Sequence, residues 1–327
     1  MSSEHFKVIA VGGGPAGIAL AVECIESGLK PEDVLILEKG PNPIEAIRKF
    51  YPDKKMTLAN YKGLPTVTEG HIPCFPDLTK IQTLEYFDQL ISKYRLNMRV
   101  KSEVYKVSHD ASGLKVQVGR DEIRGDIVSI GIGILGRPNK PTYKLPNSLR
   151  AHLLFDVTSQ KLEGQRILIV GGGDTSSEYA QVLVQDANVI TMVIRAKDLS
   201  RMMESNQKAL TSLVEAKKVR LYLETELTEV QDQDGKPLAI SSNPDQMPPE
   251  SFDKILFAIG GTTPINFLLT AGVDCENNWP KYSETGSTNI ANLYLSGDLV
   301  AGKLGGSIIT AYNSAFRSVQ EFYPRLK

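Results

Sequence analysis

A chain of 327 residues is longer than one ordinary hydrophobic core supports, so we expect two domains. Its 37 basic and 38 acidic residues nearly cancel and form no long charged run, which argues against nucleic acid or an anionic membrane as the main partner. No apolar run reaches membrane-spanning length, and glycines and Glu23 interrupt the apolar N-terminal stretch. We therefore expect a cytoplasmic protein without a signal peptide or membrane span.

The cysteines and histidines show no spacing typical of a metal site or a disulfide framework. No C-x-x-C occurs, the cysteines Cys24, Cys74 and Cys275 lie far apart, and the four histidines are equally scattered. Cys24 falls in the first predicted helix, where we expect it to pack in the core. The sequence therefore predicts neither a metal centre nor a disulfide framework.

The beginning of the chain carries the pattern of a dinucleotide-binding βαβ unit. The apolar run 8–11 predicts a buried strand, 18–27 predicts a helix, and 34–37 predicts a second strand that ends at Glu38. The turn between the first strand and the helix fits G-x-G-x-x-G with Gly12, Gly13, Gly14, Pro15, Ala16 and Gly17. Strand, glycine turn, helix, strand and acid together make one complete unit.

Each residue type in this unit has a physical role. Gly12 permits a tight turn, Gly14 lets the backbone approach a pyrophosphate, and Gly17 lets the helix lie against the strand. The pyrophosphate would meet free N–H groups at the positive end of the helix. Glu38 would accept hydrogen bonds from ribose hydroxyls. A glycine loop with a purely structural role is the alternative, but the complete unit favours a bound dinucleotide.

The chain that follows alternates helix and strand patterns. Asp77 is a plausible N-cap for a helix whose apolar residues recur at helical spacing, and we expect its aromatic members to pack in the core: Ile81, Leu84, Phe87, Ile91 and Tyr94. The strand 127–130 runs into the glycine-rich segment 131–138, which contains Gly133. Two more prolines follow this segment, and they indicate a candidate domain boundary near residue 142.

The opening pattern recurs in the second half of the chain. Residues 167–170 predict a strand, 178–185 a helix and 189–194 the next strand. The turn between the first two consists of Gly171, Gly172, Gly173, Asp174, Thr175 and Ser176. Ser176 replaces the third glycine, but it is small enough to allow close packing. The repeat therefore predicts a second dinucleotide site.

The two predicted sites differ in charge at the end of their second strand. Where the first unit has Glu38, we align Arg195 in the second, and Lys197 and Arg201 follow it. A carboxylate repels a ribose 2′-phosphate, whereas a guanidinium binds it through charge-assisted hydrogen bonds. The second site is therefore predicted to prefer NADP over NAD. A solvated, basic helix start is the alternative interpretation.

A third ligand-binding pattern lies near the end of the chain. A strand at 293–295 leads into Gly297 and Asp298, and a glycine-rich loop then starts the last helix at Ser307 and Ile308. An acid after a strand, followed by the N-terminus of a helix, is a geometry suited to a polar ligand.

These landmarks, in this order, resemble the low-molecular-weight thioredoxin reductase-like flavoproteins over nearly the whole chain. The resemblance implies an α/β fold with two Rossmann-like dinucleotide-binding domains, each a three-layer ββα arrangement. An FAD domain would comprise 1–141 and 261–327, and an NADP domain at 142–260 would be inserted into it. The homodimer of that family is implied as well.

The resemblance also implies which residues bind each cofactor. Asp298 would bind the flavin ribityl chain, and the last helix would point its positive end at the pyrimidine side of the ring, favouring the anionic reduced flavin. The residues implied for FAD are Gly12, Gly14, Pro15, Ala16, Gly17, Glu38, Lys39, Gly133, Gly297, Asp298, Ser307 and Ile308. Those implied for NADPH are Gly171, Gly173, Asp174, Thr175, Ser176, Arg195 and Arg201.

One departure from the family pattern bears on function. Thioredoxin reductases carry a redox-active C-x-x-C before the second glycine motif, where this chain reads AHLLFD at 151–156. Cysteine-free relatives include ferredoxin and flavodoxin reductases and a bacillithiol disulfide reductase-like branch. The segments 201–206 and 305–308 look most like the flavodoxin and quinone reductase branch. Some disulfide-reducing relatives carry a cysteine in the first glycine turn, at the position of Ala16.

The leading hypothesis is an FAD enzyme that takes hydride from NADPH and passes electrons to flavodoxin, ferredoxin or a quinone. The flavin carries the chemistry, so no catalytic side chain is predicted. A thiol or disulfide reductase, possible through Cys74, is the main alternative. A flavin monooxygenase is a further one, because His152 and Phe155 lie where that family has its fingerprint, although the flanking residues differ. A redox sensor without enzymatic activity is the last.

Overall fold

The computed structural model describes residues 4–53, 55–59, 63–74, 76–110, 113–134, 138–157, 160–260, 264–302 and 305–327. The chain divides into two compact units. Unit 1 consists of residues 1–136 and 262–327, and unit 2 of residues 137–261. The end of the predicted glycine-rich segment, at 135–137, and the predicted boundary at residue 261 lie outside the described residues.

The elements follow one another along the chain in three blocks. The first block of unit 1 contains β1 (Glu4–Val11), α1 (Pro15–Glu26), β2 (Val34–Leu37), α2 (Glu45–Phe50), β3 (Met56–Thr57), β4 (Leu78–Thr79), α3 (Lys80–Tyr94), β5 (Met98–Arg99), β6 (Val104–Asp110), β7 (Gly113–Val118) and β8 (Asp121–Ile130). Unit 2 contains β9 (Leu153–Leu154), β10 (Arg166–Val170), α4 (Asp174–Leu183), β11 (Val189–Val193), α5 (Glu204–Glu215), β12 (Val219–Tyr222), β13 (Leu227–Gln233), β14 (Lys236–Ser241), β15 (Glu250–Ser251) and β16 (Lys254–Phe257). The second block of unit 1 contains α6 (Ile265–Thr270), β17 (Cys275–Glu276), β18 (Trp279–Pro280), β19 (Leu293–Leu295) and α7 (Ile308–Phe322).

Unit 1 is built on a mixed sheet of order β5-β2-β1-β8-β7-β6, with β19 also paired to β8. The strands β5, β2, β1, β8 and β19 pair in parallel, whereas β6, β7 and β8 pair antiparallel. Because side chains alternate along a strand, Val8 and Ala10 pack on one face with α1, α3 and α7. Ile9 and Val11 pack on the other face with the β6–β7 hairpin and α6.

Unit 2 is a complete three-layer structure. Its five-stranded sheet has the order β12-β11-β10-β16-β9, and every pair in it is parallel. Ile167 and Ile169 face α4 and α5, whereas Leu168 faces the antiparallel sheet β13-β14-β15. Both faces of the parallel sheet are therefore buried, as their apolar runs require. The predicted α/β class with two Rossmann-like βαβ units is confirmed.

Two predictions about α3 are wrong. Its N-cap is Thr79, whose hydroxyl accepts the amide of Gln82 while the Gln82 side chain returns to the Thr79 amide. The Asp77 carboxylate instead accepts the amide of Ala59 at 2.8 Å. Ile81, expected on the helix's apolar face, is 62% exposed because it lies in the first turn, outside the stripe through Phe87 and Leu90 that faces the core.

Helix α4 also begins earlier than predicted. It starts at Asp174, so Thr175 and Ser176 belong to its first turn and not to the glycine turn. Gly173 is its N-cap. Across the described part of the chain, no helix combines the length and apolarity needed to cross a membrane.

Candidate dinucleotide sites

The first glycine turn, between β1 and α1, packs directly against backbone atoms at two positions. Gly12 has a φ of +111°, and a Cβ there would lie 2.5 Å from the carbonyl oxygen of Gly131. A Cβ on Gly17 would collide with the carbonyl oxygen of Gly12. These contacts hold α1 directly against the end of β1, as the sequence predicts for these two glycines.

Gly14, the last of the three consecutive glycines in this turn, faces open space. Nothing lies within 4 Å of the position that a Cβ on Gly14 would occupy. Gly14 is the N-cap of α1, no side chain caps the helix, Pro15 occupies its first turn, and that turn contains no acidic residue. The unneutralised amides at the helix start are therefore available to an anion, so this cradle fits a pyrophosphate.

Glu38 closes one side of the first turn. It is 8% exposed, and its Oε2 accepts the amide of Gly13 at 2.7 Å while Oε1 accepts the amide of Gly40 at 2.6 Å. A carboxylate has about four acceptor positions, so two remain for ribose hydroxyls. Lys39, which follows, is exposed.

Asp298 lies where three segments of unit 1 meet. A Cβ on Gly133, after β8, would be 3.9 Å from its Oδ2, and a Cβ on Gly306, before α7, would be 2.7 Å from its Oδ1. Burial raises the pKa of the Asp298 carboxyl, and a hydrogen bond from the Gly306 amide opposes that rise. The Ser307 hydroxyl caps α7 by accepting the amide of Thr310 at 3.1 Å.

The packing next to Asp298 connects this part of unit 1 to the first glycine turn. A Cβ on Gly297 would lie 3.0 Å from the Cβ of Ala16, and the Gly297 amide donates to Ser314 Oγ at 2.9 Å. A Cβ on Gly131 would meet both Ala16 and Ser296. The structure therefore brings together residues that the sequence separates by more than a hundred positions. Gly131 is the member that the sequence prediction missed, although its place at the end of a buried strand was a usable signal.

The second glycine turn, between β10 and α4, repeats the backbone of the first. Gly171 has a φ of +143°, and a Cβ there would collide with the carbonyl oxygen of Ala258. Nothing lies within 4 Å of a Cβ on Gly173. Ser176 is fully buried, and its hydroxyl donates to the carbonyl oxygen of Gly173 at 2.6 Å. Gly173 is the N-cap of α4 and no side chain caps the helix, so the turn is open to a pyrophosphate, although α4, unlike α1, has an acidic residue, Asp174, in its first turn.

The predicted equivalence of Arg195 and Glu38 is wrong by one residue. The amide of Gly12 donates to Leu37 and that of Gly171 to Val193, so the residue that follows Val193, Ile194, matches Glu38. A Cβ on Gly172 would accordingly meet the Ile194 side chain, as one on Gly13 would meet Glu38. The error arises because Ile194 is apolar and extends the apolar run of its strand, whereas at the matching position the charge of Glu38 ends the first run.

The basic residues predicted for NADP lie on the segment that follows Ile194. The Arg195 side chain is 76% exposed, and its Nη1 lies 3.7 Å from the Glu226 carboxylate. Arg201 is exposed as well. Thr175, in the first turn of α4, is exposed, whereas the Asp174 carboxylate is buried and accepts hydrogen bonds from Met203 and Asn206.

The three cysteines are in the thiol form and in different environments. Cys24 is buried in α1, as expected, and burial raises the pKa of its thiol. Cys74 is exposed, and hydrogen bonds from Thr68 lower the pKa of its thiol. Within the described ranges, no group of three histidine, cysteine or acidic residues is arranged to hold a metal ion.

Two strand-to-helix glycine turns, open at Gly14 and at Gly173, give the protein two candidate dinucleotide sites. The family model described as pyridine nucleotide-disulphide oxidoreductase matches residues 9–297, so the chain belongs to that family. It is therefore an oxidoreductase of the class that uses a flavin and a pyridine nucleotide. The predicted family and enzyme class are confirmed.

Similar proteins include two enzymes named ferredoxin–NADP reductase. The one from Ignicoccus hospitalis is 24% identical over 302 residues, which is 89% of either chain. The one from Lactobacillus delbrueckii subsp. bulgaricus is 27% identical over 289 residues, 88% of this chain and 86% of the relative.

Solved structures of the same fold include two disulfide reductases. Bacillithiol disulfide reductase Bdr from Staphylococcus aureus superposes with a TM-score of 0.81 at 20% identity, covering 99% of this chain and all of that one. The T. acidophilum thioredoxin reductase gives 0.78 at 16% identity and covers 99% of both chains. At these identities the likeness establishes the fold and no more.

Proposed function

We propose that this protein is an FAD-dependent NADPH oxidoreductase that passes electrons to an external acceptor. The observation that carries the proposal is the difference between its two open glycine cradles. One lies beside the buried carboxylate of Glu38, and the other lies before a segment that presents Arg195 and Arg201. The first suits a ribose with free hydroxyls, and the second suits a ribose with a 2′-phosphate.

We assign FAD to unit 1. The amides at Gly14 would bind its pyrophosphate and Glu38 its adenosine ribose, while Asp298 and the start of α7 would hold the flavin half. Gly306 packs closely on the Asp298 carboxylate, and Gly133 lies near it, so both sides of Asp298 are backbone without side chains. A flavin supplies hydride acceptance and stepwise electron release when bound. The α7 N-terminus, at Ser307 and Ile308, would stabilise negative charge on it.

We assign NADPH to unit 2. The amides at Gly173 would bind the pyrophosphate, and the two arginines would bind the 2′-phosphate. Ile194 supports this assignment because it replaces the carboxylate that would repel the phosphate. We assign no side chain as a general acid or base, because hydride transfer between the two cofactors needs none.

An external acceptor follows from the absence of an internal one. The sequence contains no C-x-x-C that could relay electrons to a thiol partner. The similar proteins named ferredoxin–NADP reductase support a ferredoxin as acceptor, ahead of flavodoxin or a quinone. We propose a homodimer on the family resemblance.

The test is an anaerobic reduction of the flavin-loaded protein. NADPH should bleach the flavin faster than NADH, and the reduced protein should then reduce a ferredoxin. Arg195→Ala and Arg201→Ala should each raise KM for NADPH by about tenfold and leave KM for NADH unchanged. Lys208→Ala, which removes an exposed charge on α5, is the matched control. A protein that binds no flavin, or whose flavin NADPH does not reduce, contradicts the proposal.

A second function, reduction of small disulfides, is favoured by one observation. Cys74 is exposed, and Thr68 lowers the pKa of its thiol, which raises its reactivity. Cys74→Ser distinguishes the two functions. We expect it to keep full ferredoxin reduction, and loss of an NADPH-driven disulfide reduction in this variant would establish the second function.

A further inference from the structure

A buried polar cluster joins the starts of the two helices of unit 2. Asp174, the first residue of α4, is 8% exposed, and Asn206, in the first turn of α5, is 9% exposed. The Oδ1 of Asp174 accepts the backbone amide of Met203 at 2.6 Å and Nδ2 of Asn206 at 2.9 Å. These are short bonds to a charged acceptor, the strongest class of protein hydrogen bond.

The cluster continues along α4. Gln181 Nε2 donates to Oδ1 of Asn206 at 3.1 Å, and the Ser177 hydroxyl donates to the Asn206 carbonyl oxygen at 3.0 Å. Asn206 is thereby held by both its side chain and its backbone. The start of α5 is fixed to α4 through directional bonds in addition to apolar packing.

The segment between β11 and α5 carries Arg195 and Arg201 and is fixed at its two ends by different means. At the first end, the amide of Thr225 donates to Ile194 at 3.1 Å and that of Glu224 to Ala196 at 3.0 Å. At the second end, the Met203 amide is held by Asp174. Arg201 lies two residues before Met203. The position of Arg201 therefore depends on the bond to Asp174 more than the position of Arg195 does.

The position of Asp174 explains why a carboxylate is acceptable there. An acid in the first turn of the helix that receives a pyrophosphate would repel it if it faced the cradle. The Asp174 carboxylate points instead at the start of α5, and Gly173 leaves the cradle open. Asp174 therefore has a structural task within the site, and contact with the pyrophosphate is not required to explain it.

We propose that Asp174 is a positioning residue for nucleotide selectivity: through the Met203 amide it sets the backbone that presents Arg201 to a ribose 2′-phosphate. This inference rests on the proposed function, because it assumes that NADPH binds to unit 2. It replaces direct cofactor binding as the role of Asp174 and deepens the account of how the site recognises NADPH.

The experiment compares two nucleotides that differ only in the 2′-phosphate. Asp174→Ala should raise KM for NADPH by about tenfold, the equivalent of one hydrogen bond to a charged group, with KM for NADH and both kcat values within about twofold of wild type. Asp174→Asn retains Oδ1 as an acceptor and should restore most of the NADPH affinity. A binding readout without turnover uses calorimetry: Asp174→Ala should weaken adenosine 2′,5′-bisphosphate by about tenfold and leave AMP unchanged.

Each other outcome overturns the inference. An equal loss for NADPH and NADH means that Asp174 acts on the shared pyrophosphate, and no loss for either means that Met202 and its neighbours fix the segment unaided. If Asp174→Ala does not fold, Asn206→Ala, which removes one of the two donors, should still weaken adenosine 2′,5′-bisphosphate more than AMP, and equal effects on both count against the inference. A wild-type protein that does not prefer NADPH contradicts the proposed function itself, whereas a wild-type preference with an unaffected Asp174→Ala contradicts only this inference.

Discussion

The two glycine turns have the same backbone and differ in what surrounds it. In both turns, the first of three consecutive glycines contacts the end of a neighbouring strand, and the last of the three, Gly14 or Gly173, faces open space. In unit 1 the middle glycine packs on Glu38, whereas in unit 2 it packs on Ile194. The main chain therefore forms the same open turn twice, and the residue that follows the second strand determines whether that turn is flanked by an acid.

The third position of the motif differs as well. Gly17 packs so closely on Gly12 that a Cβ has no room, whereas unit 2 accommodates the buried Ser176 and hydrogen bonds its hydroxyl. Helix α1 is therefore seated more tightly on its strand than α4.

The largest effect is expected from exchanging these third residues. Gly17→Ser should destabilise unit 1 by about 3 kcal/mol, because its Cβ has to displace backbone atoms. Ser176→Gly should cost about 1 kcal/mol, because it weakens a helix turn and loses one hydrogen bond. Urea denaturation of both variants measures the difference. Equal losses of unfolding free energy would show that the two turns are packed alike.

Glu38 gives the next largest effect. Glu38→Ala should destabilise the protein by about 2 kcal/mol, because the buried amides of Gly13 and Gly40 lose a charged acceptor. It should also lower the flavin content of the purified protein. Glu38→Gln keeps one oxygen acceptor and should lose less of both. Full stability and full flavin content in Glu38→Ala would show that Glu38 does not belong to the site.

Helices α1 and α4 should differ in how pH affects the contribution of their buried carboxylates to stability. The buried Glu23 of α1 accepts the amide of His71 at 2.8 Å and its Nδ1 at 2.7 Å, whereas the donors that hold Asp174 are amides. The hydrogen bond to Glu23 raises the pKa of His71 above its ordinary value of 6.5, against the opposing effect of burial, and Glu26 raises it further.

A group with a raised folded pKa stabilises fully below its unfolded pKa and loses that contribution as pH rises through the folded value. The excess unfolding free energy of wild type over His71→Gln should therefore be largest below the ordinary pKa of 6.5 and shrink as pH rises through the raised pKa of His71. His109→Gln, at an exposed strand position, is the control and should follow wild type in parallel. Parallel curves for wild type and His71→Gln would show that the Glu23 pair contributes nothing.

The smallest effect concerns the Arg195–Glu226 pair. Glu226→Gln should lower KM for NADPH by about twofold, because it frees Arg195 from a competing carboxylate, and the effect should disappear at high salt because both groups are exposed. The measurement is KM at low and high ionic strength. A higher KM in Glu226→Gln would mean that Glu226 orients Arg195 toward the nucleotide.

The sequence predicts the βαβ units well because their signals are local. Buried parallel strands are short apolar runs, and glycines are required wherever two backbones touch. The start of the last helix is predictable for the same reason, since Ser307 caps it together with the neighbouring Thr310.

The rest depends on contacts between distant residues. Whether Ile194 or Arg195 matches Glu38 is decided by the Gly171 amide, which donates to the carbonyl oxygen of Val193, on another strand. Aspartate and threonine are both good N-caps. Thr79 caps α3 because the Asp77 carboxylate accepts the Ala59 amide instead. The role of Asp174 is equally hidden, because its partner Met203 lies 29 residues away and donates through its backbone, which no side-chain pattern reveals.

The two ends of unit 2 are joined by a hydrogen bond from the Asn139 amide to the Gly260 carbonyl oxygen, at 2.9 Å. Unit 2 comes from one continuous stretch, so on the ribosome it can fold before the segment with β19 and α7 has been made. Once folded, it acts on the rest of the chain as a link of only a few residues. The entropy lost in closing unit 1 is then that of a short loop, and the proposed flavin site is completed last in synthesis without a kinetic penalty for the inserted domain.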